Sequence, residues 1–330
     1  MFQSFTKRDR LTILIYISVF AGLLLLAGIS ARHVIFKPWT ARKWISAVEV
    51  TGRIYIFGGL GRGNRVYDDV LAIDLRNNRL IHAGALPSPR FGTASAYFGG
   101  AVYVVGGFNG MRYFDEVVRF DLTTRRTEVA MKLSEPRCFG SLVVAGGKLY
   151  YIGGWNGKSY TDTILEIDPV AGESRIAGRL PEKLEHHASV VKGNSIFVIG
   201  GEGEDRNYRD SVIEIELGSW RVLKRGKLPS PVVRMAGAIT EEGIVIAGGW
   251  DGSELDSLLL ISRKSGRELR VKKLMTLPRG MADVAMVSYD GMLYIVGGTS
   301  EKSSRQIGLL RIDPKKNESE DILLKSYSWR

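Results

Sequence analysis

The chain is short of the residues that carry most side-chain chemistry. It has one cysteine, Cys138, and four histidines among 330 residues. One thiol excludes an internal disulfide and any Cys-rich zinc site. A small buried residue near a strand start is the ordinary role for such a cysteine. The only paired histidines, His186-His187, are adjacent, and neighbouring strand residues point to opposite faces, so they are badly placed to share one ion. His33 and His82 lie in other segments, and no metal or cofactor is expected. No nucleophile elbow, P-loop or nucleic-acid-binding motif is present.

Long apolar runs are also scarce. There is one, LTILIYISVFAGLLLLAGIS at residues 11–30, without a charge. At about 1.5 Å per residue it is long enough to cross a hydrocarbon layer of roughly 30 Å. A cleaved signal peptide is the alternative, with Gly28-Ile29-Ser30 as the cleavage site. An uncleaved transmembrane helix is the preferred expectation, because the apolar region exceeds the roughly 7–15 residues of a signal peptide. Basic residues flank both ends, so the positive-inside rule discriminates little. The short N-terminal tail favours a single-pass signal anchor with its N-terminus in the cytosol and the remainder extracytoplasmic.

The net charge of +11 divides unevenly. Residues 1–10 carry +2 and residues 31–45 carry +4, which leaves +5 for residues 46–330. Much of the basic excess therefore borders the span, where anionic headgroups would meet it. That distribution argues against a nucleic-acid partner.

The rest of the chain repeats. Gly pairs fall at 58–59, 106–107, 153–154, 200–201, 248–249 and 297–298, at spacings of 47–49 residues. Each follows an almost wholly apolar run: RIYIF, AVYVV, KLYYI, SIFVI, GIVIA and MLYIV. Such runs, bounded by Gly, predict strands buried on both faces. Before each comes a small-residue strand, such as SAVEV at 46–50 and TASAY at 93–97. After each comes an alternating strand ending in Asp74, Asp121, Asp168 or Asp313, where the carboxylate can hold a turn. Arg119, Glu166, Glu214 and Arg311 share one position of that strand and are expected to face water. The fourth strand is polar and followed by Pro, as suits an outer edge.

Four strands per repeat, the terminal Gly pair, and Tyr67-Asp68, Tyr113/Asp115, Tyr160/Asp162 and Tyr208/Asp210 after it resemble the kelch repeat, over nearly all of residues 46–330. The resemblance implies an all-β, six-bladed kelch-type β-propeller, here preceded by one transmembrane helix. The blades would span about 46–92, 93–140, 141–187, 188–236, 237–284 and 285–330. The chain departs from the family in the fourth strand, where only Trp220 lies near the usual Trp, and repeats 5 and 6 lose the Tyr. DILLKSYSW at 321–329 is expected to supply the last strand of blade 6, with HVIFKP at 33–38 as the competitor. A short tail (1–10), a span (11–30) and a basic tether (31–45) would precede the propeller.

By the resemblance, ligands bind on the face formed by the loops after the Gly pairs and between repeats. Arg42, Arg90 and Arg137 each lie 16 residues before the first Gly of a pair. Arg234 and Arg279 fall in the same loops, and Arg62, Arg65, Arg112, Lys158, Arg206, Arg209, Lys302 and Arg305 follow the Gly pairs, with Asn109 and Asn156 beside them. Guanidinium forks suit carboxylate and phosphate. Arg42, Arg90, Arg137, Arg234, Arg62, Arg112, Asn109 and Asn156 are therefore the candidate ring for an acidic ligand: a glycan, a peptide or a lipid headgroup. The alternative is solvated loop charge offset by Asp68, Asp69, Glu204 and Asp205. Two further readings stand beside this binding module. The stretch GGEGEDRNYRD is similar to the loop of bacterial sialic acid mutarotases, which implies Glu202 as proton carrier and Arg209 as holder of a sugar carboxylate. A structural subunit of a membrane complex, packed through Ala21, Gly22, Ala27 and Gly28, is the third.

Overall fold

A computed structural model describes residues 42–263, 269–300 and 308–328. The apolar run at 11–30 and the segment at 33–38 lie outside the described residues. Among the described residues no helix is long and apolar enough to cross a membrane.

Six antiparallel sheets follow one another along the chain, each ordered as its strands occur. Blade 1 is Ser46–Val50, Arg53–Phe57, Asp69–Asp74 and Arg79–Ala85. Blade 2 starts at Ala94–Phe98, blade 3 at Ser141–Ala145, blade 4 at Ala188–Lys192, blade 5 at Ala236–Ile239 and blade 6 at Ala285–Tyr289. These six first strands touch one another in a closed cycle, blade 6 returning to blade 1. The sheets therefore radiate from a central axis, and small side chains such as Ala94, Ala96, Ala188, Ala236 and Ala238 let the inner strands crowd there.

The second strands are the best buried. All five residues of Ala101–Val105 and of Ser195–Ile199 are enclosed. Both of their faces are covered because the core is divided into layers between blades. One layer joins Tyr55, Phe57 and Val70 of blade 1 to Val102, Val104 and Phe120 of blade 2. Four more join the successive pairs from blades 2 and 3 to blades 5 and 6. Burial on both faces explains why these runs do not alternate.

The Gly pairs end those strands in the same conformation. Both glycines have positive φ in every repeat, for instance 68° and 102° at Gly106 and Gly107. A Cβ on Gly106 would sit 1.9 Å from the Arg137 carbonyl of the next blade's loop, and one on Gly58 would sit 2.2 Å from that of Arg90. The amide of the second glycine donates to the same carbonyl: Gly59 to Arg90 at 2.9 Å, Gly107 to Arg137 at 2.7 Å, Gly154 to Leu184 at 2.8 Å. Only glycine gives both the left-handed backbone and the close approach.

The strand-ending aspartates hold turns as their chemistry requires. Asp121 accepts from the amides of Thr123 and Thr124, and Asp168 from those of Val170 and Ala171. Those amides of Thr124 and Thr123, with Arg119, hold the Asp121 carboxyl down to about 2.

Two expectations are corrected. Arg119 and Arg311 reach water, but Glu214 at the same repeat position is 0% exposed, because blade 5 covers it with Arg263. The last strand of blade 6 is Glu318–Ile322, which starts before residue 321, because Asp313 closes a tight turn on the amides of Lys315 and Lys316. The remaining tail, Lys325–Ser328, pairs parallel with the outer strand of blade 1, and the Lys325 amide donates to the Asn78 carbonyl at 2.7 Å. An open edge strand offers unpaired backbone groups that such a tail can satisfy.

Candidate functional site at the mouth of the channel

The loops before each inner strand repeat with a constant spacing that places two positions. Residues 16 before the first glycine are Arg42, Arg90, Arg137, Leu184, Val232 and Met281. Their carbonyls accept the glycine amides, so the side chains turn into the fold. All six are buried. Arg42, Arg90 and Arg137 are 2%, 0% and 1% exposed, which corrects the expectation of open forks at these sites.

Their guanidiniums are used within the blades. Arg42 bridges both oxygens of Asp69, one at 2.8 Å. Arg90 pairs with Glu116 at 2.7 Å. In blade 3 Thr163 replaces the carboxylate, and Arg137 takes Glu135 at 2.6 Å and the Thr163 hydroxyl at 3.3 Å. Aromatic rings lie over two of them: Tyr67 between Arg42 and Arg65, Phe114 between Arg90 and Arg112. The buried arginine is a peg, while its exposed counterpart above the ring faces solvent.

Residues 14 before the first glycine are Trp44, Gly92, Phe139, His186, Arg234 and Asp283. All six have left-handed backbones, with φ between 54° and 66°. Their backbones are linked from blade to blade: Gly92 N–H to Trp44 O, Phe139 to Gly92 and His186 to Phe139 at 2.9 Å, then Arg234 to His186 and Asp283 to Arg234 at 3.0 Å. This ladder surrounds the mouth of the central channel. Five of its six members are not glycine, and a left-handed bulky residue costs of order 1–3 kcal/mol, so the arrangement is held by its surroundings. The Arg ring expected from sequence contributes one member to it, Arg234.

The side chains of the ladder divide in character. On one side Trp44 stacks on Phe91 at 5.3 Å and meets Phe139 edge-on at 5.6 Å; Phe139 lies 4.3 Å from the His186 ring. The other two, Arg234 and Asp283, stand 3.9 Å apart, with Asp283 in the blade that adjoins that of Trp44. Arg234 is about one-third exposed; its guanidinium makes no hydrogen bond to the described residues, and its Nε is buried without an acceptor. Asp283 is 7% exposed, and its Oδ1 lacks a donor. Burial pushes Asp283 up to about 6 against the pull of Arg234. Burial likewise lowers His186 to about 3, aided by Arg234, so its imidazole is neutral. His187 does not join it: it packs against the glycine pairs, with both ring nitrogens unpartnered. Cys138 is a buried free thiol whose ionisation is suppressed by burial.

Beside His186 lies a second acidic group. Segments Leu184–Glu185 and Glu202–Gly203 pair antiparallel, setting Glu185 opposite Glu202. The Tyr160 hydroxyl donates to Glu202 at 2.8 Å. Desolvation raises Glu185 to about 7. Arg209, expected near Glu202, instead binds Glu182 at 2.7 Å and Asp205 at 2.9 Å. The cation next to Glu202 is Arg206, at 3.6 Å. The spacing of the loop alone could not distinguish them, because the turn at Gly203–Asn207 folds Arg209 back.

The remaining expected residues are scattered. Arg62 is exposed in a short turn of blade 1, and Arg112 is exposed over Phe114. Asn109 and Asn156 use their carbonyl oxygens on amides of their own loops, at 2.8–3.0 Å. Arg279 is turned onto Asp321 of blade 6 in a two-point ion pair. The loop of blade 5 carries Asp251 and Glu254 and no cation, whereas exposed Arg62, Arg65 and Arg112 stand in the loops of blades 1 and 2. A uniform positive ring is replaced by a divided one. Among the described residues no cluster of three metal-ligating side chains occurs.

Comparison with known proteins agrees with this architecture. Residues 30–174 match the family model of the KLHDC2/KLHL20/DRC7 kelch-repeat domain. The solved structure of YjhT is similar over 82% of this chain and 95% of that one, at 19% identity and a TM-score of 0.68. No curated protein matches the chain.

Proposed function

We propose that this chain, a six-bladed β-propeller of the kelch type, is a binding module tethered to a membrane, and that it holds an acidic ligand at the mouth of its channel. The observation that carries the reading is Arg234: a guanidinium held in the mouth by its backbone ladder, with no hydrogen bond to the described residues. A carboxylate or phosphate there would gain charge-assisted bonds. Trp44 and Phe139 offer the ligand's apolar face a wall, and Asp283 offers an acceptor for a hydroxyl or amide. Glycan, acidic peptide and lipid headgroup all carry the anion. The aromatic wall favours a glycan or peptide over a headgroup, which has little apolar face to stack. Arg62, Arg65 and Arg112 would draw the anion in across blades 1 and 2.

The tether reading rests on the uncharged run at 11–30 and its basic flanks. It places the propeller outside the cytoplasm, and protease digestion of intact against opened cells tests that sidedness. Binding is tested on arrays of acidic glycans and acidic peptides. Arg234→Gln should cost at least about ten-fold, as loss of one charged fork does. Binding that is indifferent to Arg234→Gln removes the reading.

A second reading, a sugar mutarotase, is favoured by one observation: Glu185, raised to about 7, faces Glu202 with the Tyr160 hydroxyl between. Two carboxyls whose environments separate their ionisation are suited to acid and base roles. Glu202 would carry the proton, as the sequence suggested, with Arg234 or Arg206 in place of Arg209 on the carboxylate. NMR of sialic acid anomer exchange tests it, and a rate unchanged by Glu202→Gln excludes that site.

A further inference from the structure

Two buried carboxyls act on Arg234 in the mouth. The first is Asp283, whose Oδ1 lies 3.9 Å from the Arg234 Nε and whose side chain is 4% exposed. The second is Glu185. The Arg234 amide donates to the carbonyl of His186 at 3.0 Å, and the His186 ring lies 3.8 Å from Glu185 Oε1. The Arg234 charge pulls on the Glu185 carboxyl from there.

Both acids sit among other charges. Among the described residues, Asp283 is faced by Arg234 from the loop before blade 5, by Lys43 and Trp44 from the loop before blade 1, and by Glu254 of blade 5. Glu185 is faced by Glu202 and Arg206 of blade 4, by the Tyr160 hydroxyl of blade 3, by Arg234 and by His186. Cys138, Tyr113 and Tyr151 also feel Glu185 or one another, and burial keeps all three un-ionised at neutral pH.

The formal charges of this set change sign with two protons. With every acid ionised, Asp283, Glu185, Glu202 and Glu254 outnumber Arg234, Lys43 and Arg206, which disfavours an anion. With Asp283 and Glu185 protonated, the three cations outnumber the remaining acids, and the same mouth attracts an anion. Burial places the change in the ordinary pH range: it pushes Asp283 up to about 6 and Glu185 up to about 7. His186 and His187 are lowered to about 3 and about 4, so they stay neutral through that range.

We propose that Asp283 and Glu185 form a proton switch on the acidic-ligand site: protonated, they leave the Arg234 charge to the ligand, and ionised, they compete with the ligand for it. This rests on the acidic-ligand reading and adds its regulation. The mouth loads in mildly acidic surroundings and releases in mildly alkaline ones. The sign follows from linkage. A bound anion disfavours the ionised form of a carboxyl beside it, so binding takes up protons, and affinity rises as pH falls.

The test is isothermal titration calorimetry of the full chain in an uncharged detergent, from pH 5 to pH 8 at fixed ionic strength. The probe is benzenesulfonate, whose charge is constant over that range, with benzenesulfonamide as the neutral control. Affinity for benzenesulfonate should fall at least about ten-fold from pH 5 to pH 8, and the control should show no such trend. Heats measured in buffers of different ionisation enthalpy should show proton uptake on binding between pH 6 and pH 7. That measurement uses wild type alone and carries the test where a variant does not fold. Asp283→Asn suits the left-handed backbone, at a φ of 57°, and should raise affinity at pH 8 and shrink the slope. Adding Glu185→Gln should remove the rest of the slope. Arg234→Gln should weaken binding at pH 5 at least about ten-fold. Arg234-dependent binding with a flat pH profile, or a slope that the double variant keeps, overturns the switch and leaves the acidic-ligand reading standing. Absence of Arg234-dependent binding at every pH removes both.

Discussion

The amide of Gly298 donates to the carbonyl of Arg42 at 2.7 Å. These residues lie at opposite ends of the propeller's chain, and their bond is the same one that joins every other pair of consecutive blades. The first and last repeats are therefore linked as neighbours by the same contact that links every other pair. The tail at Lys325–Ser328 adds a separate clasp on the outside of blade 1.

That bond predicts which glycines are indispensable. A Cβ on Gly297 would lie 2.7 Å from the Arg42 carbonyl and 2.7 Å from Ile45, at a φ of 68°. Gly297→Ala should cost about 1–3 kcal/mol in backbone strain. It should lose about as much again by parting blade 6 from blade 1. Gly146, at a φ of 53°, has open space around its Cβ position, so Gly146→Ala should cost only about 1–2 kcal/mol. Urea melts of the two variants check the difference, and equal losses would mean that the contact with Arg42 contributes nothing.

The buried arginines should behave as structure. Arg90 is enclosed and its partner Glu116 is 10% exposed at the side chain, so Arg90→Ala leaves that carboxylate only the long 3.5 Å contact with Arg112 and should cost about 3–5 kcal/mol. Arg112, 61% exposed on the same ring, should cost under about 1 kcal/mol when truncated. Melting temperatures of both variants decide this. A stable Arg90→Ala protein that has lost only ligand binding would return Arg90 to the mouth.

The tail clasp is weaker. Its backbone pairing reaches only Lys325 with Arg79 and Ser328 with Ile81. Deleting residues 323–330 should leave six blades and lower stability by about 1–3 kcal/mol, the value of a few exposed hydrogen bonds. Circular dichroism of the truncated chain checks both parts, and loss of the β signal would make the tail essential to closure.

The blades were legible because their signals are local and recur. Gly pairs need positive φ, the apolar runs need two covered faces, and Asp121 needs the amides two and three residues on. The mouth was less legible. Arg42 and Arg234 differ by only two places in their offset from the glycines, 16 against 14, yet one is a peg and the other faces the channel. That difference follows from long-range backbone bonds: the carbonyl of Arg42 accepts from Gly298 of the preceding blade, and that of Arg234 accepts from Asp283 of the next. Glu214 was misjudged for the same reason: period-two alternation predicts the face of the sheet but not whether a neighbouring blade covers it. The six residues at offset 14 share no residue type, so only their common spacing could have marked them.

The pH dependence of stability isolates Glu185. Its carboxyl is raised from 4.5 to about 7, chiefly by burial, so the protonated form is favoured in the fold. The stability this gives is complete below about pH 4.5 and is lost as pH rises through about 7. His186 and His187 run the other way. Burial lowers them from 6.5 to about 3 and about 4, so their contribution is present above pH 6.5 and is lost as pH falls through those values. Glutamine at 185 keeps the neutral shape at every pH and removes only the first slope. The stability of Glu185→Gln relative to wild type should therefore grow between pH 5 and pH 8, by an amount on the order of 3 kcal/mol for a shift of this size. Paired urea melts at the two values measure it. A constant difference would show that Glu185 ionises as an ordinary surface acid, and the mutarotase reading would lose the separated pair of carboxyls on which it rests.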